Sequence, residues 1–175
     1  MNANLKKLFD RLEVQRMQLQ TLVKDLSDVE LNKHPTEKWS IAQVLSHLIA
    51  SEQLSVNYLN KKILGIQTAE KSGLKEDLKM LLLIVSQRLP FKFKAPRTIV
   101  ENTRVYGSVN PLISAWDKAR EDLKEVLEKF QDDQINLNVF KHPRAGMLNI
   151  QQAVRFFKEH ITHHTPQVKN LLKQN

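Results

Sequence analysis

Six histidines are the residues of this sequence whose type and spacing could carry metal chemistry. Three of them cluster towards the C-terminal end, at His160, His163 and His164. Side chains four residues apart project from one face of an α-helix, so His160 and His164 could bind one metal ion at about 2.0–2.1 Å. His160 and His163 could share a face as well, so the spacing leaves both pairs open. Either pair is a weak signal by itself, and such a site needs a third ligand from another segment.

His47 is the candidate for that third ligand. It lies three residues after Val44 and directly before Leu48, which places it on the apolar side of a predicted helix. The competing interpretation is a histidine at the edge of the core that makes one hydrogen bond, and this is the commoner fate of a lone histidine.

Four long amphipathic segments must position these histidines. Apolar residues recur in them at steps of three and four, the spacing of an α-helix with one buried face. The segments are residues 4–26, 40–62, 110–130 and 149–172. A fifth helix is predicted in the long connection between the second and third segments. The chain is therefore predicted to be all-α, a four-helix bundle with one extra helix.

The predicted helices begin at recognisable residues. Ser40 with Gln43 matches a capping box, and Asn149 is followed by Gln152 at the same spacing. Asn110 is expected to cap the third long helix, because Pro111 then falls in its first turn. In the last helix, Pro166 is expected to cause a kink or loosen one turn.

The extra helix is predicted over residues 74–89 and is ended by Pro90. Its core face is predicted to consist of Leu78, Leu81, Leu82, Val85 and Leu89. The remaining connections are predicted to be loops, over residues 27–38, 91–97 and 134–148.

Length and composition predict one globular domain over residues 1–175, with 41% apolar and 26% charged residues. Four glycines and six prolines are too few for an all-β fold rich in tight turns. The chain has no cysteine, which excludes disulfides, thiolate zinc sites and a cysteine nucleophile. The longest apolar run, Met80–Val85, is far shorter than a membrane span, and the first residues do not match a signal peptide. A cytoplasmic protein with no membrane partner is expected.

The net charge of +8 does not by itself indicate a nucleic-acid partner. The 27 basic residues are spread along every segment instead of forming one patch, so no nucleic-acid binding is expected. Neither GxGxxG nor GxxxxGK occurs, which disfavours nucleotide-dependent chemistry.

The chain resembles the DinB-like, YfiT-like superfamily of metal-dependent hydrolases over nearly its whole length. The motifs that carry the resemblance are Trp39-Ser-x-x-Gln-Val-x-x-His47-Leu, Gly146-x-Leu-Asn and His160-x-x-His163-His164-x-x-Gln167. The resemblance implies a bacterial-type bundle in an up-down-down-up arrangement. Its long crossover between helices 2 and 3 would contain the helix at residues 74–89.

The resemblance also implies the site. One histidine on helix 2 and two on helix 4 would bind a divalent metal, at the positions of His47, His160 and His164. His163 would be a neighbour of the ligands, Gln167 a supporting or packing residue, and Trp39 a hydrophobic lid. Three neutral imidazoles with a vacant fourth position would suit Zn²⁺ or Ni²⁺. With ordinary imidazole pKa values near 6.5, such binding would be lost near pH 5.

The resemblance implies a metal-dependent enzyme acting on a small molecule, either a hydrolase or a transferase that uses a low-molecular-weight thiol. Two alternatives remain open: a non-catalytic bundle with a structural or vestigial metal site, and a stress-associated interaction module. A homodimer is expected, because bundles of this family often pair.

The other charged residues near the motifs have weaker expected roles. Glu159 and His163 are the candidates for general acid or base. Helix periodicity nevertheless favours a surface position for Glu159, and Glu52 is also expected to be solvated. Asp117, Arg120 and Glu121 are expected to form local charge pairs on their own helix.

Overall fold

A computed structural model describes residues 1–35, 38–88 and 97–174 of the chain. Within these ranges the chain forms seven α-helices, one 3₁₀-helix (Ile66–Thr68) and one two-stranded sheet. The helices are α1 (Ala3–Val23), α2 (Asp28–Asn32), α3 (Ile41–Ile63), α4 (Leu74–Arg88), α5 (Arg97–Asn102), α6 (Val109–Glu128) and α7 (Ile150–Leu172). The strands are β1 (Asn138–His142) and β2 (Gly146–Asn149).

The four long helices, α1, α3, α6 and α7, make the bundle. α1 packs on α7 and α6, and α3 packs on α6 and α7. Their buried faces meet in an apolar core in which Trp116, Leu45 and Leu123 are completely buried. The predicted four-helix bundle is confirmed, with α4 as the extra helix between the second and third long helices.

Two capping boxes fix the starts of the helices that carry the histidines. The Ser40 hydroxyl accepts a hydrogen bond from the backbone N–H of Gln43. In return, the side-chain oxygen of Gln43 accepts a hydrogen bond from the backbone N–H of Ser40 at 3.0 Å. Asn149 and Gln152 repeat this arrangement at the start of α7. Both predicted starts are confirmed. The predicted cap at Asn110 is wrong, since α6 begins at Val109 after Ser108, so that Asn110 already lies in the helix.

The predicted core face of α4 is also wrong. α4 buries Met80 and Leu83 against the bundle. The residues predicted to be buried are instead 47–60% exposed, namely Leu78, Leu81, Leu82 and Val85. This helix is apolar on two faces, and the periodicity alone does not say which one meets the core. Leu89 and Pro90 lie outside the described residues.

The predicted loop over residues 134–148 contains an antiparallel hairpin. His142 pairs with Gly146 at its turn, and Phe140 pairs with Leu148. Gly146 has a φ of 74°, in the left-handed region that glycine adopts without strain. β2 then runs directly into α7, so the hairpin sets where that helix begins.

The other connections differ less from expectation. Residues 27–38 contain the short helix α2, which opens with a capping box between Ser27 and Glu30. The loop predicted over residues 91–97 lies outside the described residues apart from Arg97, where α5 begins. α7 is continuous across Pro166, so no break separates the two ends of its histidine motif. Among the described residues, no helix combines the length and apolar character that a membrane span requires.

Candidate metal centre

Three of the predicted site residues come together where α3 faces α7. One nitrogen from each of His47, His160 and His164 lies within 4.8 Å of the other two. The Nε2 atoms of His47 and His160 are 3.1 Å apart, although 113 positions separate these residues in sequence. Two nitrogens that bind one tetrahedral Zn²⁺ at about 2.0–2.1 Å lie about 3.3 Å apart. The cluster therefore has the dimensions of a three-imidazole metal site.

The helical repeat of α7 brings its two histidines to one face. His160 and His164 lie on consecutive turns with ring centroids 4.9 Å apart. Pro166 lies beyond both of them and leaves this pair aligned, because its missing N–H would have bonded to Thr162. His47 completes the group from α3, with its ring 5.2 Å from that of His164.

A hydrogen bond to Gln167 orients His164. The Gln167 Oε1 atom lies 2.9 Å from the His164 Nδ1 atom. An amide oxygen only accepts, so the Nδ1 atom carries the proton and donates. The Nε2 atom of His164 is then unprotonated and has its lone pair for a metal. This contact places Gln167 beside His164, and its supporting role stays a prediction.

Two aromatic rings flank the histidines. Trp39 precedes α3 and lies 5.3 Å from the His47 ring, with about a third of the residue exposed. The ring of Phe156 stacks on that of His160 at 5.4 Å and 16°. Sequence reasoning did not include Phe156. It lies four residues before His160, so the same helical spacing could have identified it.

Burial keeps these imidazoles uncharged. His47 and His164 are buried, and desolvation lowers the pKa of each to about 4. The pKa of His160 is also lowered well below the usual 6.5, first by desolvation and then by its histidine neighbours. Neutral imidazole is the form that binds a metal, so at pH 7 all three side chains are in the ligating state.

The model of the DinB superfamily matches residues 11–168 of the chain. The chain belongs to the DinB superfamily. It is 26% identical over 157 residues to the uncharacterized protein YuaE of Bacillus subtilis (strain 168), covering 89% of this chain and 91% of YuaE. The family expected from the motifs is thereby confirmed.

The fold of this DinB-superfamily chain is similar to that of a solved structure, YfiT from Bacillus subtilis. YfiT is described as "a probable metal-dependent hydrolase with an unusual four-helix bundle topology". The two match with a TM-score of 0.59 and 15% sequence identity, over 97% of this chain and 86% of YfiT. At 15% sequence identity, the structural similarity to YfiT shows a shared fold and nothing further.

His163 lies beside the three-histidine cluster, but it forms its hydrogen bond with the backbone of α4. Its Nδ1 atom is 2.6 Å from the carbonyl oxygen of Gln87 on α4, so the Nδ1 atom donates. Its ring lies 4.9 Å from that of His164. Of the two pairs that the spacing left open, the described structure places His160 with His164 in the three-histidine group.

Both carboxylates expected at the surface are buried. Glu159 is 5% exposed and pairs with Arg88 of α4 at 3.0 Å. Glu52 is 4% exposed and pairs with Arg120 of α6 at 2.9 Å. The surface predictions were wrong because helix periodicity located these residues away from the histidines without showing which neighbouring helix covered them.

The charge pairs expected on α6 are mostly between helices. Arg120 is buried and also lies 3.0 Å from Glu13 of α1. Asp117 pairs with Arg16 of α1. Glu121 does make a local pair, with Lys118 at 3.2 Å. Desolvation raises the pKa of Glu52 and lowers that of Arg120, while their mutual attraction opposes both shifts.

A cleft of about 850 Å³ opens between α1 and α6 above this charge network. Its lining includes Phe9, Glu13, Arg16 and Arg120, and none of the three clustered histidines. The cleft is therefore separate from the candidate metal centre, which lies where α3 faces α7.

Proposed function

We propose that this DinB-superfamily chain is a metal-dependent enzyme acting on a small molecule, with His47, His160 and His164 holding one Zn²⁺ or Ni²⁺. The observation that carries the proposal is the convergence of three neutral imidazole nitrogens within 4.8 Å. The 3.1 Å between the Nε2 atoms of His47 and His160 also matches the separation of two ligands on one tetrahedral ion.

The donor set fits a borderline divalent ion. Three imidazoles and no thiolate suit Zn²⁺ and Ni²⁺, and three protein ligands leave a fourth position for a substrate. An ion held there would supply Lewis acidity, which serves both hydrolysis and the activation of a thiol.

The surrounding residues have distinct roles in this proposal. Gln167 keeps the His164 proton on Nδ1 and so directs Nε2 into the site. Trp39 and Phe156 cover the rings of His47 and His160 and limit the access of water. The Nδ1 atom of His163 donates to a backbone carbonyl, so its Nε2 atom is the proton acceptor proposed beside the site.

Hydrolysis is the reaction we place first, because the protein of similar fold, YfiT, is described as a probable hydrolase. Transfer to a low-molecular-weight thiol is the second candidate. The chain has no cysteine, so any thiol used there would have to arrive as a cosubstrate.

The test is metal loading followed by turnover. Wild-type protein is incubated with Zn²⁺ or Ni²⁺, desalted and analysed for bound metal, with an expected content of about one ion per chain. The loaded protein is then assayed on small esters and amides, with and without a low-molecular-weight thiol. The double variant His160→Ala, His164→Ala should lose both metal and turnover. His34→Ala, which removes an exposed histidine outside the cluster, should lose neither.

Each outcome selects one interpretation. Turnover without thiol supports a hydrolase, and turnover only with thiol supports the transferase. Bound metal with no turnover on any of these substrates favours the structural or vestigial site. Absence of retained metal contradicts the proposal. The single domain over residues 1–175, the cytoplasmic location and the lack of nucleic-acid binding stay predictions.

A further inference from the structure

The cleft between α1 and α6 is lined by two buried arginines that the proposed metal chemistry does not use. Its volume of about 850 Å³ is that of a small-molecule pocket, which spans about 300–1,000 Å³. Arg16 of α1 and Arg120 of α6, which we name the arginine pair, both line it. Their side chains are only 11% and 3% exposed. A buried guanidinium needs anionic or polar partners, so the partners of this pair indicate what the cleft binds.

Three carboxylates surround the arginine pair. Glu52 accepts a hydrogen bond from the Nη2 atom of Arg120 at 2.9 Å, and Asp117 pairs with Arg16. Glu13 is shared, because it accepts two hydrogen bonds from Arg16, at 3.0 and 2.8 Å, and lies 3.0 Å from the Nε atom of Arg120. Without Glu13, each arginine would still keep one carboxylate. The position of the Glu13 carboxylate is therefore where one anion contacts both arginines.

The Glu13 carboxylate satisfies Arg120 incompletely. Its distance from the Nε atom is that of an ion pair, but the two groups are not aligned as a hydrogen bond. Within the described residues, the buried Nη1 atom of Arg120 also has no hydrogen-bond partner. A buried donor without a partner is unfavourable, and more so on a charged group. Arg120 thus has donors left for an acceptor that the cleft admits.

Of the two carboxylates that contact Arg120, Glu13 is the one that can be displaced. Its side chain is 24% exposed, whereas that of Glu52 is 5% exposed. Glu13 also lines the cleft, so its side chain can turn towards solvent without a movement of α1. The exchange of one carboxylate for another leaves the charge around the arginine pair unchanged, so no additional charge has to be buried.

The rest of the lining indicates the body and the charge of the ligand. Phe9 lies four residues before Glu13 on the same face of α1 and also lines the cleft, which places apolar surface beside the carboxylate position. The described lining has five basic and five acidic residues. With Glu13 turned outwards, it has one positive charge in excess, which matches a ligand with one carboxylate.

We propose that the cleft between α1 and α6 binds a small monocarboxylate with an apolar body. The ligand carboxylate takes the place of Glu13 between Arg16 and Arg120, and the body packs on Phe9. Planar guanidinium groups suit carboxylates, which they bind through two parallel hydrogen bonds. Glu13 competes with the ligand from within the same chain, at a high effective concentration, so the removal of Glu13 should strengthen binding.

The first experiment is a calorimetric titration of the metal-free protein with benzoate, and with benzamide as its neutral analogue. Metal is left out because a carboxylate could also bind to an ion at the histidines. Glu13→Ala should bind benzoate at least about tenfold more tightly than the wild-type chain. Glu125→Ala is the matched control, because Glu125 is an exposed glutamate of α6 outside the cleft, and it should bind benzoate like the wild type. Benzamide should bind to none of them.

The second experiment assigns the side chains, with Glu13→Ala as the parent. Arg120→Lys and Arg16→Lys keep the positive charge but remove the planar fork, so each should weaken benzoate binding at least about tenfold. Circular dichroism checks folding, and Arg16→Lys decides the question if Arg120→Lys does not fold. Phe9→Leu should weaken the binding of benzoate and leave that of acetate unchanged, because acetate has no body to pack.

Four outcomes overturn the proposal. They are no benzoate binding to Glu13→Ala, equal binding of benzamide and benzoate, unchanged benzoate affinity in the folded arginine variants, and tighter binding of inorganic phosphate than of benzoate. The last would assign the arginine pair to phosphate. The double variant His160→Ala, His164→Ala should keep its affinity for benzoate, and a loss there would place the carboxylate at the histidines. The cleft and the metal centre can therefore fail independently.

Discussion

Acidification distinguishes the buried imidazoles of this centre from ordinary histidines. At pH 5, three ligands with pKa values near 6.5 would each be about 97% protonated, and metal affinity would fall by about 10⁴-fold. The structure lowers the pKa of His47 and His164 to about 4 and that of His160 well below its usual value. With those pKa values, competition from protons lowers the metal affinity by less than about twofold at pH 5. The expectation from the sequence, that binding is lost near pH 5, therefore moves to about pH 4.

The stability of the metal-free protein, in contrast to its affinity for metal, should fall already between pH 6.5 and pH 5. The folded-state pKa of each of these histidines lies below its unfolded value, so the unfolded chain binds more protons below about pH 6.5. Their contribution to stability is thus complete above pH 6.5 and is lost as the pH falls towards 4. For His47 and His164 the loss from pH 7.5 to 5 is about 2 kcal/mol each. Acid weakens the fold before it protonates the ligands.

Thermal denaturation across pH measures both effects. Metal at about a hundred times its dissociation constant stabilises the folded state by about 2.7 kcal/mol, which raises the melting temperature by about 5–11 °C. That rise should persist from pH 7.5 to pH 5 while the metal-free melting temperature falls. The variant His160→Ala, His164→Ala should show no rise at any pH. A rise that disappears by pH 5.5 in a protein that is still folded would refute the reasoning, because it would mean that the imidazoles titrate normally.

Three further predictions concern single side chains. His164→Ala should abolish metal retention, whereas His163→Ala should change affinity by no more than about tenfold; equal losses in a metal-binding titration would contradict the assignment. Arg120→Met should destabilise the fold by about 3–5 kcal/mol in chemical denaturation, because it leaves a buried carboxylate unpaired, and an unchanged midpoint would count against that pair. Ser40→Ala should lower the melting temperature by about 2–4 °C for a loss of about 1 kcal/mol, while Ser108→Ala, at a cap that makes no side-chain bond, should leave it unchanged.

The sequence predicted those features that depend only on residues within one helical turn of each other. The capping boxes at Ser40 and Asn149 place the starts of α3 and α7, and the spacing of His160 and His164 places both on one face. The sequence could not choose the buried face of α4, because that helix is apolar on two sides. The sequence also could not predict the burial of Glu52, because the arginine that pairs with it lies on another helix.

The candidate donor set is all nitrogen, although two buried carboxylates lie near the candidate ligands in sequence. Glu159 is next to a candidate ligand on α7, and Glu52 lies on the same helix as the candidate ligand of α3. Helix periodicity directs both carboxylates away from the histidines, Glu159 pairs with Arg88, Glu52 pairs with Arg120, and neither belongs to the three-histidine group within the described residues. Neutral imidazoles leave the double positive charge of a bound ion uncompensated, whereas each carboxylate ligand would remove one unit. With no carboxylate in the donor set, an ion held by the three imidazoles would keep the Lewis acidity on which the proposed reaction depends.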